Sequence, residues 1–205
     1  MTILPRSTVR AAITARDFCD IVNALGTQAV EDIAWAEDLR PPTDADDFAK
    51  EVIFVICNSG MKNTVARGIY ERCMAALRAG RPVFEVFGHA GKAQAIERIW
   101  SARHELLQGF LAAPDRLAFL EALPWIGPIT KYHLAKNFGA DVAKPDVHLR
   151  RLADREGCTA QALCERLAAD TGLRVATVDT VLWRACANGV IDSRTGTILN
   201  ERAEA

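Results

Sequence analysis

The chain has 205 residues, half of them hydrophobic and a quarter charged, with a net charge of −1. That composition excludes disordered, collagenous and low-complexity classes and is enough for a sizeable core without disulfides or metal. The longest apolar run, Val52 to Cys57, is six residues where a membrane span needs about twenty. The N-terminal Met1-Thr2-Ile3-Leu4-Pro5-Arg6 lacks a basic region followed by an apolar one, so a cytoplasmic location and no membrane partner are expected.

Alanine, leucine and arginine dominate, and apolar residues recur at spacings of three and four, so most of the chain is predicted helical. Residues 16–39 read as one long helix or two, interrupted near Gly26. Pro41-Pro42-Thr43-Asp44 is a break with a capping group, and a helix is expected to resume near Asp46. Val52 to Cys57 has no period of its own, but its lead-in favours helix, and Asn58-Ser59-Gly60 ends it. A helix from Thr64 to Leu77 closes at Gly80. Val83 to Phe87 alternates like a strand but has no partner, and is predicted as an extended connector. Helices follow at 92–107, 114–123, 129–138, 145–155, 159–171 and 175–187, and residues 201–205 form a polar tail expected to fray. The fold class is all-α.

Six scattered cysteines form no CxxC pair, so structural zinc is not expected and most of them read as small buried side chains. Charge is uneven. Residues 31–50 hold seven acids against two bases, whereas residues 129–151 hold five bases against two acids. A neutral protein can thus still present one basic face to phosphates; ordinary solvated surface is the plain alternative.

The informative stretch is Leu120 to Leu152. Leu123-Pro124-Trp125-Ile126-Gly127-Pro128 joins two helices through a very short hairpin. Gly127 permits close approach of another backbone, and Pro128 suits the first turn of the next helix, whose free N–H groups make an anion site. A plain helix-turn-helix corner explains the hairpin equally well. Nineteen residues beyond Gly127, Lys144-Pro145-Asp146-Val147-His148 places a carboxylate at a helix start, ahead of Arg150 and Arg151. Alone, Asp146 is a helix cap.

In combination these motifs resemble the helix-hairpin-helix DNA glycosylase superfamily, with Leu123 to Gly127 matching its hairpin and Asp146 its catalytic aspartate. A looser resemblance reaches Phe54-Val55-Ile56-Cys57-Asn58-Ser59, similar to the buried helix and loop that the superfamily aims at DNA. The resemblance implies a two-lobed fold: residues 46–140 with the hairpin in one lobe, residues 1–45 plus 141–205 in the other, and the active site at their junction. It also implies a monomeric base-excision repair enzyme that acts on double-stranded DNA with a modified or mispaired base and extrudes that base. Asp146 would stabilise the cationic sugar. Ile126, Gly127 and Ile129 would offer N–H groups to phosphate, with Thr130 and Lys131 adding side-chain donors. Asn58, Ser59, Met61 and Lys62 are candidates for the wedge and orphan-base contacts, with a polar turn as the alternative. Trp125, Tyr132 and His148 are candidate pocket residues, although His148 reads as well as a structural histidine. Trp35, Trp100 and Trp183 read first as core, and Lys136 and Arg151 as weaker phosphate contacts.

Three departures refine the expectation. Trp125 stands where many members have another hairpin glycine. Strand-cutting members carry a lysine two residues after the hairpin glycine, where this chain has Ile129, and a helix turns roughly 200° over the two residues that separate it from Lys131. The expected enzyme is therefore monofunctional. Cys158, Cys164 and Cys186 lack the spacing of the family's iron-sulfur ligands, so no cluster is expected, and no metal ligand is assigned. A potassium or sodium ion at the hairpin carbonyls is the one cofactor the resemblance allows, in a structural role. The alternatives are a bifunctional glycosylase with lyase activity through another lysine, a noncatalytic hairpin module that only holds DNA, and a helical protein with no DNA partner.

Overall fold

The computed structural model describes residues 12–61 and 63–199, which are mostly helical. The chain divides into two compact units, one built from residues up to Asp38 together with those from Asp141 on, the other from Leu39 to Ala140. No helix among the described residues is long and apolar enough to cross a membrane.

In the first unit, α1 (Ala15–Leu25) starts with a capping box in which Thr14 accepts from the Asp17 amide and Asp17 accepts from the Thr14 amide. Gly26, at φ 59°, ends it, and α2 (Thr27–Asp38) follows. The interruption expected near Gly26 is therefore a full break between two helices. After the second unit the chain returns as α9 (Val147–Glu156), α10 (Ala160–Thr171) and α11 (Val175–Ala187). Phe18 and Ile21 of α1 pack with Leu149, Leu152, Leu163, Leu167, Val178 and Val181 in one buried cluster. The Arg184 guanidinium clamps Asp32 of α2 with two hydrogen bonds of 2.7 and 3.1 Å. A two-stranded antiparallel ribbon, β1 (Ile191–Asp192) and β2 (Thr197–Ile198), lies beyond the helices and went unforeseen; strands of two residues leave no readable alternation.

The second unit is built around α3 (Ala45–Asn58). Asp44 caps it by accepting from the amides of Asp46 and Asp47, which hold its carboxyl below the usual carboxylate range. Phe48, Val52, Ile53, Val55, Ile56 and Cys57 are wholly buried, which is why Val52 to Cys57 lacks a period: the helix has neighbours on nearly every side. Those neighbours are α4 (Asn63–Arg78), α5 (Ala90–Ser101), α6 (Arg103–Ala112) and α8 (Thr130–Asn137). Phe48, Phe110 and Phe138 stack within 5.2–5.7 Å of one another at its base.

Four expectations are corrected. Val83 to Phe87 is no extended connector: Val83–Glu85 is a 3-10 turn, closed by Val86 and Phe87 amides that both donate to Val83 O. With no partner strand, the backbone satisfies its polar groups locally. The single helix predicted over 92–107 is two, α5 and α6, divided at Ala102 (φ −95°, ψ 11°), where no glycine or proline marks the break. Lys136, read as a weaker phosphate contact, is only 7% exposed, whereas Trp35, read first as core, is 49% exposed. The tail at 201–205 lies outside the described residues.

Candidate nucleic-acid interface and catalytic carboxylate

The hairpin belongs to the second unit. Asp115 caps α7 (Arg116–Glu121) by accepting from the Ala118 amide, and α8 begins at Thr130. Between them the Ile126 amide donates to Leu123 O at 3.1 Å, and both side chains are buried, 4% and 6% exposed. This corrects the role expected of Ile126, because its N–H closes the hairpin and is not open to a phosphate. Lys131 is corrected too. Its ammonium is bonded across the hairpin to the Glu121 carboxylate, which holds it above the ordinary lysine value, and its amide donates to Gly127 O.

What remains open is the start of α8 itself. Its N-cap residue is Ile129, a hydrocarbon that caps nothing, and the amides of Gly127, Ile129 and Thr130 have no acceptor among the described residues. A Cβ built on Gly127 would meet nothing within 4 Å, so the turn is bare on that side. Three unspent donors at the positive end of a helix dipole form a place for an anion. Pro128 lies in the turn two residues ahead of Thr130, the first residue of α8, and not in the first turn of the helix as expected.

Trp125 has φ 64° and is the one non-glycine residue among the described residues with a positive φ. The left-handed conformation costs a side-chain-bearing residue about 1–2 kcal/mol. The indole is docked on α5: Nε1–H donates to Gly91 O at 3.0 Å and the His89 ring meets it edge-on at 5.0 Å. Trp125 stays 46% exposed. Tyr132 is half-buried, with the Lys131 ammonium 5.4 Å from its ring. The indole of Trp125 thus meets α5, and the ring of Tyr132 meets Lys131.

The end of α3 and the loop after it hold Asn58, Ser59 and Met61, all half-buried; Lys62 lies outside the described residues. The Ser59 amide donates to Val55 O and the Met61 amide to Asn58 O, while Ser59 O accepts from the Lys92 ammonium at 2.7 Å. Lys92 is 4% exposed, and burial pulls it below the ordinary lysine value.

The carboxylate belongs to the first unit. Asp146 is the N-cap of α9, and its Oδ1 accepts from the amides of His148 (2.9 Å) and Leu149 (3.1 Å). Oδ2 lies 3.8 Å from Lys144 Nζ, in a side chain that is 13% exposed. The Asp146 amide donates to Lys144 O at 2.8 Å through a tight turn at Pro145, and the Lys144 amide donates to Asp179 Oδ1 at 2.9 Å. The carboxylate is thus oriented by its own helix. Burial holds the Lys144 amine below the ordinary lysine value against the opposing charge of Asp146. The Cys186 thiol is pushed up to about 12 by burial first, then by the charges of Asp146 and Asp192. His148 Nδ1 is 3.0 Å from Ser193 Oγ, in a residue only 4% exposed, so one ring nitrogen of this pocket candidate is committed.

The structure therefore brings Gly127, Ile129 and Thr130 together at one helix start, groups Asn58, Ser59 and Met61 at the end of α3 and the loop after it, and joins Asp146 to His148. Lys144, Lys92 and Ser193 carry no assignment from sequence. Lys144 was readable from its place in Lys-Pro-Asp, whereas Lys92 and Ser193 meet their partners 33 and 45 residues away. Among the described residues no group of three metal-ligating side chains converges. Compared with family models, curated proteins and solved structures, the chain matches none.

Proposed function

We propose that this protein is a helix-hairpin-helix DNA glycosylase that hydrolyses the N-glycosidic bond of a damaged, alkylated or mispaired base in double-stranded DNA and leaves an abasic site. The observation that carries the proposal is the Asp146 carboxylate, with Oδ1 fixed by two helix amides and Oδ2 left beside Lys144. As the bond to the base breaks, the deoxyribose turns cationic, and a fixed anion stabilises that charge without having to reorganise. The bare start of α8 supports the second half of the proposal, the grip on a phosphate. The base is extruded to be reached, and the loop at Asn58 to Met61 fills the gap it leaves. An alkylated purine is the first substrate to test, with uracil or thymine opposite guanine and oxidised guanine next.

A second reading, favoured by Lys144, adds lyase chemistry. The neutral amine adds to the C1′ aldehyde of the opened sugar and loses water to give an iminium. Loss of the C2′ proton then expels the 3′ phosphate. Borohydride trapping of a covalent protein–DNA adduct that is lost in K144A identifies this route; hydrolysis without an adduct identifies the first. A panel of duplexes, each with one modified or mismatched base and scored for alkali-labile sites, tests both. A protein that binds these duplexes and releases no base is a noncatalytic module, and one that shows no salt-dependent binding has no DNA partner.

A further inference from the structure

We infer that the first turn of α5, His89 to Lys92, is a strut that fixes the spacing between the loop after α3 and the hairpin, with Lys92 and Trp125 as its positioning residues. The purpose assigned to that spacing rests on the DNA reading above; the strut itself rests on contacts inside the second unit. Lys92 reaches Ser59 O, 33 residues earlier in the chain, and Gly91 O receives the Trp125 indole from 34 residues later. The Lys92 ammonium also lies 5.9 Å from the Trp125 ring centroid, so one side chain touches both elements. His89 accepts from the Lys92 amide through Nδ1 at 3.3 Å and presents its ring to the indole. Gly91 has no room for a side chain, because a Cβ there would come within 2.9 Å of the indole.

Two features of this contact have a cost that ordinary packing does not require. Trp125 occupies a backbone conformation in which glycine would be unstrained, and Lys92 buries an ammonium against one carbonyl and one ring face. Each is explained if the indole and the amine hold two loops at one separation. A wedge and a phosphate grip that engage the same duplex must keep their spacing, since a displacement of about 1 Å at a reacting geometry costs on the order of 100-fold.

Hydrogen exchange and a double-mutant cycle test the strut. In W125G, exchange is expected to quicken at least about tenfold at the Ser59 and Met61 amides, and in K92M equally at the Lys131 and Tyr132 amides, with Arg150 in the first unit unchanged. On a duplex containing a tetrahydrofuran abasic-site analogue, each single variant is expected to weaken Kd about tenfold and the double variant no more than the worse single one. Exchange changes confined to the substituted element, or losses that multiply to about 100-fold, overturn the strut. If the wild type does not bind the duplex, the DNA reading fails, and the exchange pattern alone decides the strut. If K92M or W125G does not fold, K92Q and W125F replace them with the same expected pattern at smaller amplitude.

Discussion

Two helix starts in this molecule solve the same problem in opposite ways. At α9 the unpaired amides of the first turn are spent on the chain's own Asp146, which fixes one carboxylate oxygen and leaves the other beside Lys144. At α8 the N-cap is Ile129, and three amides are left without an acceptor among the described residues. A capped start orients an anion that belongs to the protein, and a bare start is complementary to an anion that comes from outside. The proposed glycosylase reading uses both, one for the sugar as it turns cationic and one for the phosphate that holds the strand.

The contrast can be broken by giving α8 the cap it lacks. In I129D the new carboxylate sets a negative charge beside the open amides of Gly127, Ile129 and Thr130, and duplex affinity is expected to fall about tenfold with one fewer phosphate contact in the salt dependence, even as the charge at the positive end of α8 stabilises the fold by up to about 1 kcal/mol. Binding titrations across salt, set beside thermal unfolding, read both. An I129D protein that binds like wild type removes the bare helix start from the interface.

Removing the cap from α9 sharpens the other half. D146A is expected to lose about 1 kcal/mol of stability in denaturant unfolding, whereas D146N keeps most of it, because an asparagine oxygen accepts the same two amides. Equal stability for all three proteins would mean that the capping bonds contribute nothing.

The smallest effect expected is a pH dependence. Lys144 titrates below 10.5 in the folded protein, the unfolded chain near it, so between the two values the unfolded state binds more protons and stability rises with pH. Below that window the cost of the buried charge is fully present. K144M is expected to flatten the rise, measured as the unfolding midpoint from neutral pH to above 10.5. An unchanged slope would assign the rise to another group, with Lys92 the first to examine.

Much of this was legible in the sequence wherever the determinant is local. The break at Gly26, the Asp44 cap ahead of α3 and the capping position of Asp146 each follow from a few neighbouring residues. The Trp125 departure from a glycine position marked the residue that has a positive φ, though neither the strain nor the hold of α5 on the indole was read from it. What escaped depends on partners distant in sequence or on main-chain bonds that side-chain identity does not reveal. The Ile126 amide is spent on Leu123, the Lys131 ammonium on Glu121, and Lys92 on Ser59. Val83 to Phe87, read as an extended connector for want of a partner strand, is a 3-10 turn instead, because its backbone groups pair with one another through main-chain bonds that the side chains do not announce.

Single-turnover base release by wild type and D146N, on whichever duplex of the panel yields an alkali-labile site, tests the role of Asp146 most directly. The wild type is expected to release the base, and D146N to bind the same duplex within about threefold while releasing it about 100-fold more slowly or worse. Release at the wild-type rate by D146N, or none by the wild type from any duplex, would contradict that role.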